Sequence, residues 1–208
     1  MRVITEHATI PVVRHDAGVC HIYVDADADP AMAERICFNA KVQRPSTCNA
    51  METLLVHQGI ARHWLAPFID KLVAAKVEVR GCQKTCQLSS SATAANDDDF
   101  GKEFLDLTVA VKVVKNVDEA MEHIAKYGSR HTEAIVTSDY PKAMRFLREV
   151  DASAVLVNAS TRLNDGYQFG LGAEIGISTS RIHARGPMGL EELTCFKFIV
   201  MGSGQVRE

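Results

Sequence analysis

The residue best suited to chemistry is Cys48. It lies in Lys41-Val42-Gln43-Arg44-Pro45-Ser46-Thr47-Cys48-Asn49-Ala50-Met51-Glu52-Thr53, where a helix-like run stops and a strand-like run starts. A thiol at such a joint can be held by backbone, exposed and activated. A free cysteine titrates at roughly 8.5, and nearby cations or aligned N–H groups lower that value. Arg44 is the nearest cation in sequence. The thiolate is the nucleophile. Residue types alone leave two readings open, an activated nucleophile and a buried inert thiol, the commoner fate of cysteine.

Cys82 and Cys86 form a C-x-x-x-C pair. A structural zinc site needs four ligands, and with no second pair nearby and His57 and His63 isolated, a surface loop carrying two thiols is expected. Gly170-Leu171-Gly172-Ala173-Glu174-Ile175-Gly176 is not a dinucleotide loop: its spacing is off by one residue, no strand precedes it and no helix follows. A Gly-rich flap bringing backbone close to a ligand remains open. Asn158-Ala159-Ser160-Thr161-Arg162 follows a buried strand, and ligands of α/β sheets favour the carboxyl ends of strands. Arg162 could grip a carboxylate or phosphate with two parallel hydrogen bonds, or be a surface arginine in a polar loop. The eight histidines show no metal or triad spacing, and His123 and His131 are expected on or beside solvated helix faces.

Regular elements must position these residues. The chain has 208 residues, a net charge of −3 and 47% hydrophobic content, enough for a real core in one or two domains. Mixed charge with no basic stripe argues against nucleic acid. No apolar run of about 18 residues is present, so no membrane partner is expected. Six cysteines without a disulfide-like spacing predict free thiols in a reducing cytoplasm. Strands are expected at Cys20–Val24, Thr53–His57, Glu103–Val113, Ala134–Val136 and Ala154–Val157. Between them come helices from Asp29 and Pro30 to Pro45, over Ala61–Ala75, from the Asn116/Glu119 capping pair to Tyr127, and over Pro141–Val150. Ser89–Asp99 reads as a polar surface loop, Asn158–Gly189 as a long irregular segment, and Leu193–Met201 as a strand paired in another subunit. The alternation predicts an α/β fold with a largely parallel sheet flanked by helices.

Several blocks together carry a family resemblance. Asn39 to Ala50 resembles the active-site stretch of the γ-glutamyl phosphate reductase family, in the aldehyde dehydrogenase superfamily. Val157–Arg162, Phe169–Thr179 and His183–Glu191 are similar to further blocks of that family, in the expected order. The resemblance implies an aldehyde dehydrogenase-like catalytic domain, with residues 1–27 ending a cofactor-binding domain, 28–165 catalytic, and 166–208 an active-site flap and C-terminal oligomerisation strand. It implies the C-terminal half of the reductase, with most of the NADPH-binding half lying elsewhere. The implied reaction is NADPH-dependent reduction of L-glutamyl 5-phosphate to L-glutamate 5-semialdehyde and phosphate, a step of proline synthesis. Cys48 would be the nucleophile and form a thioester, Glu103 would hold the nicotinamide ribose, and Asn158, Ser160 and Arg162 would bind the substrate anion. A homo-oligomer is implied, with glutamate 5-kinase as a pathway partner. Where aldehyde-oxidising relatives carry a glutamate that activates water, this chain has His15-Asp16-Ala17-Gly18-Val19, which suits reduction of the thioester over its hydrolysis. Two alternatives stand beside this reading: another acyl-phosphate or acyl-CoA reductase of the superfamily, and a non-catalytic fragment that self-associates.

Overall fold

The computed structural model describes residues 2–15 and 17–208, and Asp16 of the His15–Val19 stretch lies outside the described residues. The elements run α1 (Arg2–His7), β1 (Cys20–Val24), α2 (Pro30–Val42), β2 (Met51–His57), α3 (Gln58–Ala74), β3 (Glu78–Gly81), α4 (Gln83–Leu88), β4 (Thr93–Ala94) and β5 (Thr108–Val114). They continue with α5 (Val117–Tyr127), β6 (Thr132–Val136), α6 (Tyr140–Glu149), β7 (Ala154–Val157), β8 (Gly176–Ser178) and β9 (Gly186–Met188). Seven strands form one sheet in the order β4-β3-β5-β2-β1-β6-β7, and every neighbouring pair is parallel. No helix among the described residues is long and apolar enough to cross a membrane.

Local sequence explains the main elements. Asp29 accepts a hydrogen bond from the Met32 N–H at 2.6 Å and Pro30 opens α2, a pairing that suits a helix start. Asn116 caps α5 by accepting from the Glu119 N–H at 3.0 Å, while the Glu119 carboxylate reaches back to the Lys115 N–H at 2.8 Å. One sheet face buries Ile22, Val24, Leu54, Val56 and Val111 against α2 and α3, including the stacked Trp64 and Phe68. The other buries Tyr23, Leu55 and Ile135 under Phe146 of α6 and Ile124 of α5. Strands covered on both faces carry apolar residues at successive positions.

That double coverage corrects one expectation. The alternating run from Glu103 becomes a strand only at Thr108, and β5 is buried on both faces, with Val109, Val111 and Val113 in one core and Val114 in the other. Leu105 instead lies before the strand with φ of 54° and is 44% exposed. β1, which precedes the boundary expected at residue 27, is a central strand of this sheet. All five β1 residues are buried, and the strand pairs with β2 on one side and β6 on the other.

Further differences concern short or shielded features. The pair β3 and β4 is too short to stand out in the sequence. Cys82 precedes α4 and Cys86 lies within it, so these thiols belong to a helical turn and not a loop. His123 and His131 are buried, not solvated. Phe100 and Tyr127 pack on the His123 ring, and the His131 Nδ1 meets the Thr132 hydroxyl at 2.7 Å. Burial pushes the two imidazoles down, to about 2 and about 4. Inside the irregular segment, β8 and β9 form a small antiparallel hairpin. No strand forms at Leu193–Met201: Leu193 ends a 3-10 turn and 194–201 have no regular structure, with Phe196, Phe198, Ile199, Val200 and Met201 exposed.

These burials set a stability contrast. Phe146→Ala removes the largest fully buried side chain that α6 brings to its core. It should lower the unfolding free energy by about 3–5 kcal/mol in urea titration. Phe198→Ala, at a residue 88% exposed, should change it by less than about 0.5 kcal/mol.

Candidate functional site

Cys48 sits in the loop that leaves α2 and enters β2, at the amino edge of the sheet. The loop is a compact turn: the Thr47 hydroxyl donates to the Arg44 carbonyl at 2.9 Å and to the Asn49 Oδ1 at 3.0 Å, and the Ala50 N–H donates to the Thr47 carbonyl at 3.0 Å. Behind it runs the entry to β1. A Cβ on Gly18 would lie 2.0 Å from the Cys48 carbonyl oxygen, so this close approach of two backbones requires glycine. The Cys20 thiol donates to the same carbonyl at 3.2 Å.

The Gly18 N–H donates to Glu103 Oε1 at 2.9 Å. Glu103 and Cys48 are therefore tied to one glycine. Next along the chain, the Val19 N–H donates to the Ser129 hydroxyl at 2.9 Å and pins the strand entry.

The electrostatics of the thiol differ from expectation. Burial raises its pKa above the ordinary thiol value, and the Glu174 and Glu103 carboxylates raise it further. Its own backbone N–H and the Arg162 guanidinium lower it, but they do not win. The cation acting on Cys48 is Arg162 and not Arg44, which is exposed on the turn. At neutral pH the resting group is the protonated thiol.

Arg162 reaches the loop through Asn49. The buried Asn49 Oδ1 accepts from Arg162 Nη1, and Asn49 Nδ2 donates to the Asn164 carbonyl at 3.0 Å. Asn164 Nδ2 in turn donates to the Thr132 hydroxyl at 2.8 Å, at the start of β6. Arg162 Nε donates to Gln43 Oε1 at 2.9 Å. The guanidinium also borders a cleft of about 290 Å³ shared with Asn39, Gln43 and Gln168.

The other two expected anion ligands are engaged elsewhere. The Ser160 hydroxyl accepts from the Arg162 N–H at 3.3 Å and starts a short 3-10 turn at Thr161–Leu163. Asn158 spends both ends of its amide on the Thr137 backbone, at 3.0 Å each, beyond the carboxyl end of β6. So the segment leaves the carboxyl edge at Asn158 and has returned to the amino edge by Asn164. Asn158 therefore stands at the carboxyl edge, while the Arg162 guanidinium meets the Cys48 loop at the amino edge.

Four residues at this site were not assigned roles from sequence. Gly18 and Glu174 lie in stretches noted for other features, and the only sequence signal for Asn49 and Asn164 is a polar residue in a turn. Glu174 Oε2 accepts from the Gly166 N–H at 2.8 Å, which folds the Gly-rich loop back toward Cys48. The rings of His15 and His131 meet edge to face at 5.7 Å. Among the described residues, no group of three His, Cys, Asp or Glu side chains is placed to hold a metal ion.

No protein-family model matches the chain. A curated gamma-glutamyl phosphate reductase of Thermodesulfovibrio yellowstonii is 64% identical over 208 residues, covering 100% of this chain and 50% of the relative. The crystal structure of gamma-glutamyl phosphate reductase from Thermotoga maritima superposes with a TM-score of 0.94 at 54% identity, covering 100% of this chain and 50% of that one. An acetylating aldehyde dehydrogenase from Geobacillus thermoglucosidasius shares the fold, with a TM-score of 0.58 at 19% identity over 86% of this chain and 47% of that one. Two further structures of this fold, at 14% and 15% identity, hold NADP+ and NAD. The chain spans about half the length of the curated relatives it matches.

The charges around Cys48 set a signed expectation. Glu174→Gln should move the pH profile of Cys48 alkylation to lower pH, because a carboxylate that raises the thiol pKa is removed. Arg162→Gln should move it to higher pH. Mass-spectrometric measurement of carbamidomethyl Cys48 across pH checks both.

Proposed function

We propose that this chain, a homologue across its whole length of about half of gamma-glutamyl phosphate reductase, is the thiol-bearing catalytic half of such an enzyme. The whole enzyme would reduce L-glutamyl 5-phosphate to L-glutamate 5-semialdehyde, a step of proline synthesis in the cytoplasm. The observation that carries this reading is the seating of Cys48. Its carbonyl lies against Gly18, and Gly18 also fixes Glu103, so a nucleophile and a candidate ribose-binding carboxylate share one anchor.

The residues divide the chemistry as follows. The Cys48 thiol, which is partly exposed, first gives its proton to solvent water, a step that burial and the flanking carboxylates oppose and that Arg162 and the Cys48 N–H favour. The sulfur attacks the acyl carbon of the substrate, and the carbon–oxygen bond to phosphate breaks. Phosphate leaves with its electron pair, and the acyl group remains on Cys48 as a thioester. The Cys48 N–H is directed at its own sulfur and can donate to the oxyanion formed during attack. Arg162, at the mouth of the cleft beside this loop, is the candidate group for the substrate's anion.

A nicotinamide cofactor fits the same corner, because Glu103 presents a fixed carboxylate within electrostatic reach of Cys48. NADPH, when bound, supplies the hydride that converts the thioester to the aldehyde. Glu103 would hold the nicotinamide ribose, and the remaining contacts would come from the other half of the enzyme. Self-association through the exposed apolar segment at Phe196–Met201 also belongs to this proposal.

In a protein with the full length of the relatives, Cys48→Ala should lower NADPH-dependent turnover by at least about a thousandfold and leave the fold intact. Steady-state kinetics and circular dichroism read the two properties separately. Retained turnover by the folded variant would sink the assignment.

A further inference from the structure

Lys41 and Glu52 form an ion pair at 2.7 Å in which neither side chain has any exposed surface. They stand on either side of Cys48, Lys41 in the last turn of α2 and Glu52 near the start of β2. Taking two charges out of water is expensive, and well-packed apolar residues of similar volume are often as stable. Stability is thus a weak explanation for such a pair.

Its surroundings supply a better one. The register between β1 and β2 pairs Cys20 with Met51 and His21 with Thr53, so Glu52 is the unpaired residue of a bulge. A bulge re-aims a side chain. Here Glu52 sends one oxygen to the Lys41 ammonium and the other to the Leu105 N–H at 3.2 Å. Leu105 has φ of 54°, a conformation that leucine adopts at a cost. Its held N–H fixes the segment that presents Glu103 to Gly18. The contacts close a ring through Lys41, Glu52, Leu105, Glu103, Gly18 and Cys48.

We infer that the buried Lys41–Glu52 pair is a positioning device, which clamps both ends of the Cys48 loop and holds Glu103 beside the thiol. It rests on the reading of Cys48 as the nucleophile. Four groups act electrostatically with the thiol: Glu103, Glu174, Arg162 and Cys20. The pair itself senses Asp106, Cys20 and Glu103. Releasing the clamp lets Glu103 withdraw and opens the loop to water. Both changes favour the thiolate.

The test uses this chain and reads the thiol directly. Lys41→Met combined with Glu52→Leu replaces the pair by apolar side chains of similar length. Peptide-resolved alkylation of Cys48 by iodoacetamide is followed across pH, with folding checked by circular dichroism and thermal melting. The profile of the folded double variant should move to lower pH, raising Cys48 alkylation at neutral pH by about threefold or more. Adding Glu103→Gln should move the original chain's profile but add little to the double variant, since the two changes act on one path. A folded double variant with an unchanged profile, or full additivity with Glu103→Gln, would overturn the inference. If the double variant does not fold, Glu52→Leu alone removes both the ion pair and the acceptor for Leu105, and an unchanged profile in that folded variant overturns it equally. Failure of the nucleophile reading appears elsewhere, as full-length turnover that survives Cys48→Ala, so the two outcomes are distinguishable.

Discussion

The bare Cα of Gly18 against the Cys48 carbonyl is the contact on which the rest of the site depends. It brings the entry to β1 and the loop before β2 closer than any side chain would permit. The parallel pairing of β1 with β2 continues from there, and that pairing forms the middle of the seven-stranded sheet. The fold and the site share this constraint. Moving the two strands apart to admit a Cβ would break the Glu103 anchor and lift Cys48 off its support.

Holding a thiol this firmly has an electrostatic consequence. Backbone packing on one side and the Gly-rich loop with Glu174 on the other leave Cys48 half-buried, and burial disfavours the anion. A single guanidinium, already shared with Asn49 and Gln43, does not offset two carboxylates plus burial. The resting site therefore protects its cysteine. A protonated thiol is a poor target for oxidants and alkylating agents. The thiolate is favoured by neutralising or moving Glu103 and Glu174, the carboxylates that oppose it.

How legible this was depends on the kind of interaction. The sequence-visible parts are those governed by local rules: Asp29 and Pro30 starting α2, Asn116 capping α5, and the apolar strands. Cys48 itself stood out because polar and turn-forming residues surround it. Less visible were contacts made across the fold. Nothing local distinguishes Gly18 from any other glycine, and its role exists only because Cys48 arrives behind it. His123 and His131 look like surface residues until Phe100, Tyr127 and Cys20 close over them. The alternation that begins at Glu103 misleads for a related reason: the backbone at Leu105 serves Glu52, a residue far away in sequence.

The position of Arg162 shows how topology overrides a general rule. Ligands of parallel sheets usually meet the carboxyl ends of the strands, and Asn158 does lie there. Yet the chain does not stop at that edge. Asn158 locks both ends of its amide to Thr137, the backbone turns through a left-handed residue, and the 3-10 turn starting at Ser160 carries Arg162 back along the face shared with α2. There Asn164 and Asn49 receive it in a buried chain of amides that ends on the Thr132 hydroxyl. Asn158 and Ser160 thus act on this corner through the backbone, by aiming the guanidinium whose charge opposes the Glu103 and Glu174 carboxylates at Cys48. A loop following a buried strand needs no function at its nearer end when a rigid return path delivers its cation to the opposite edge.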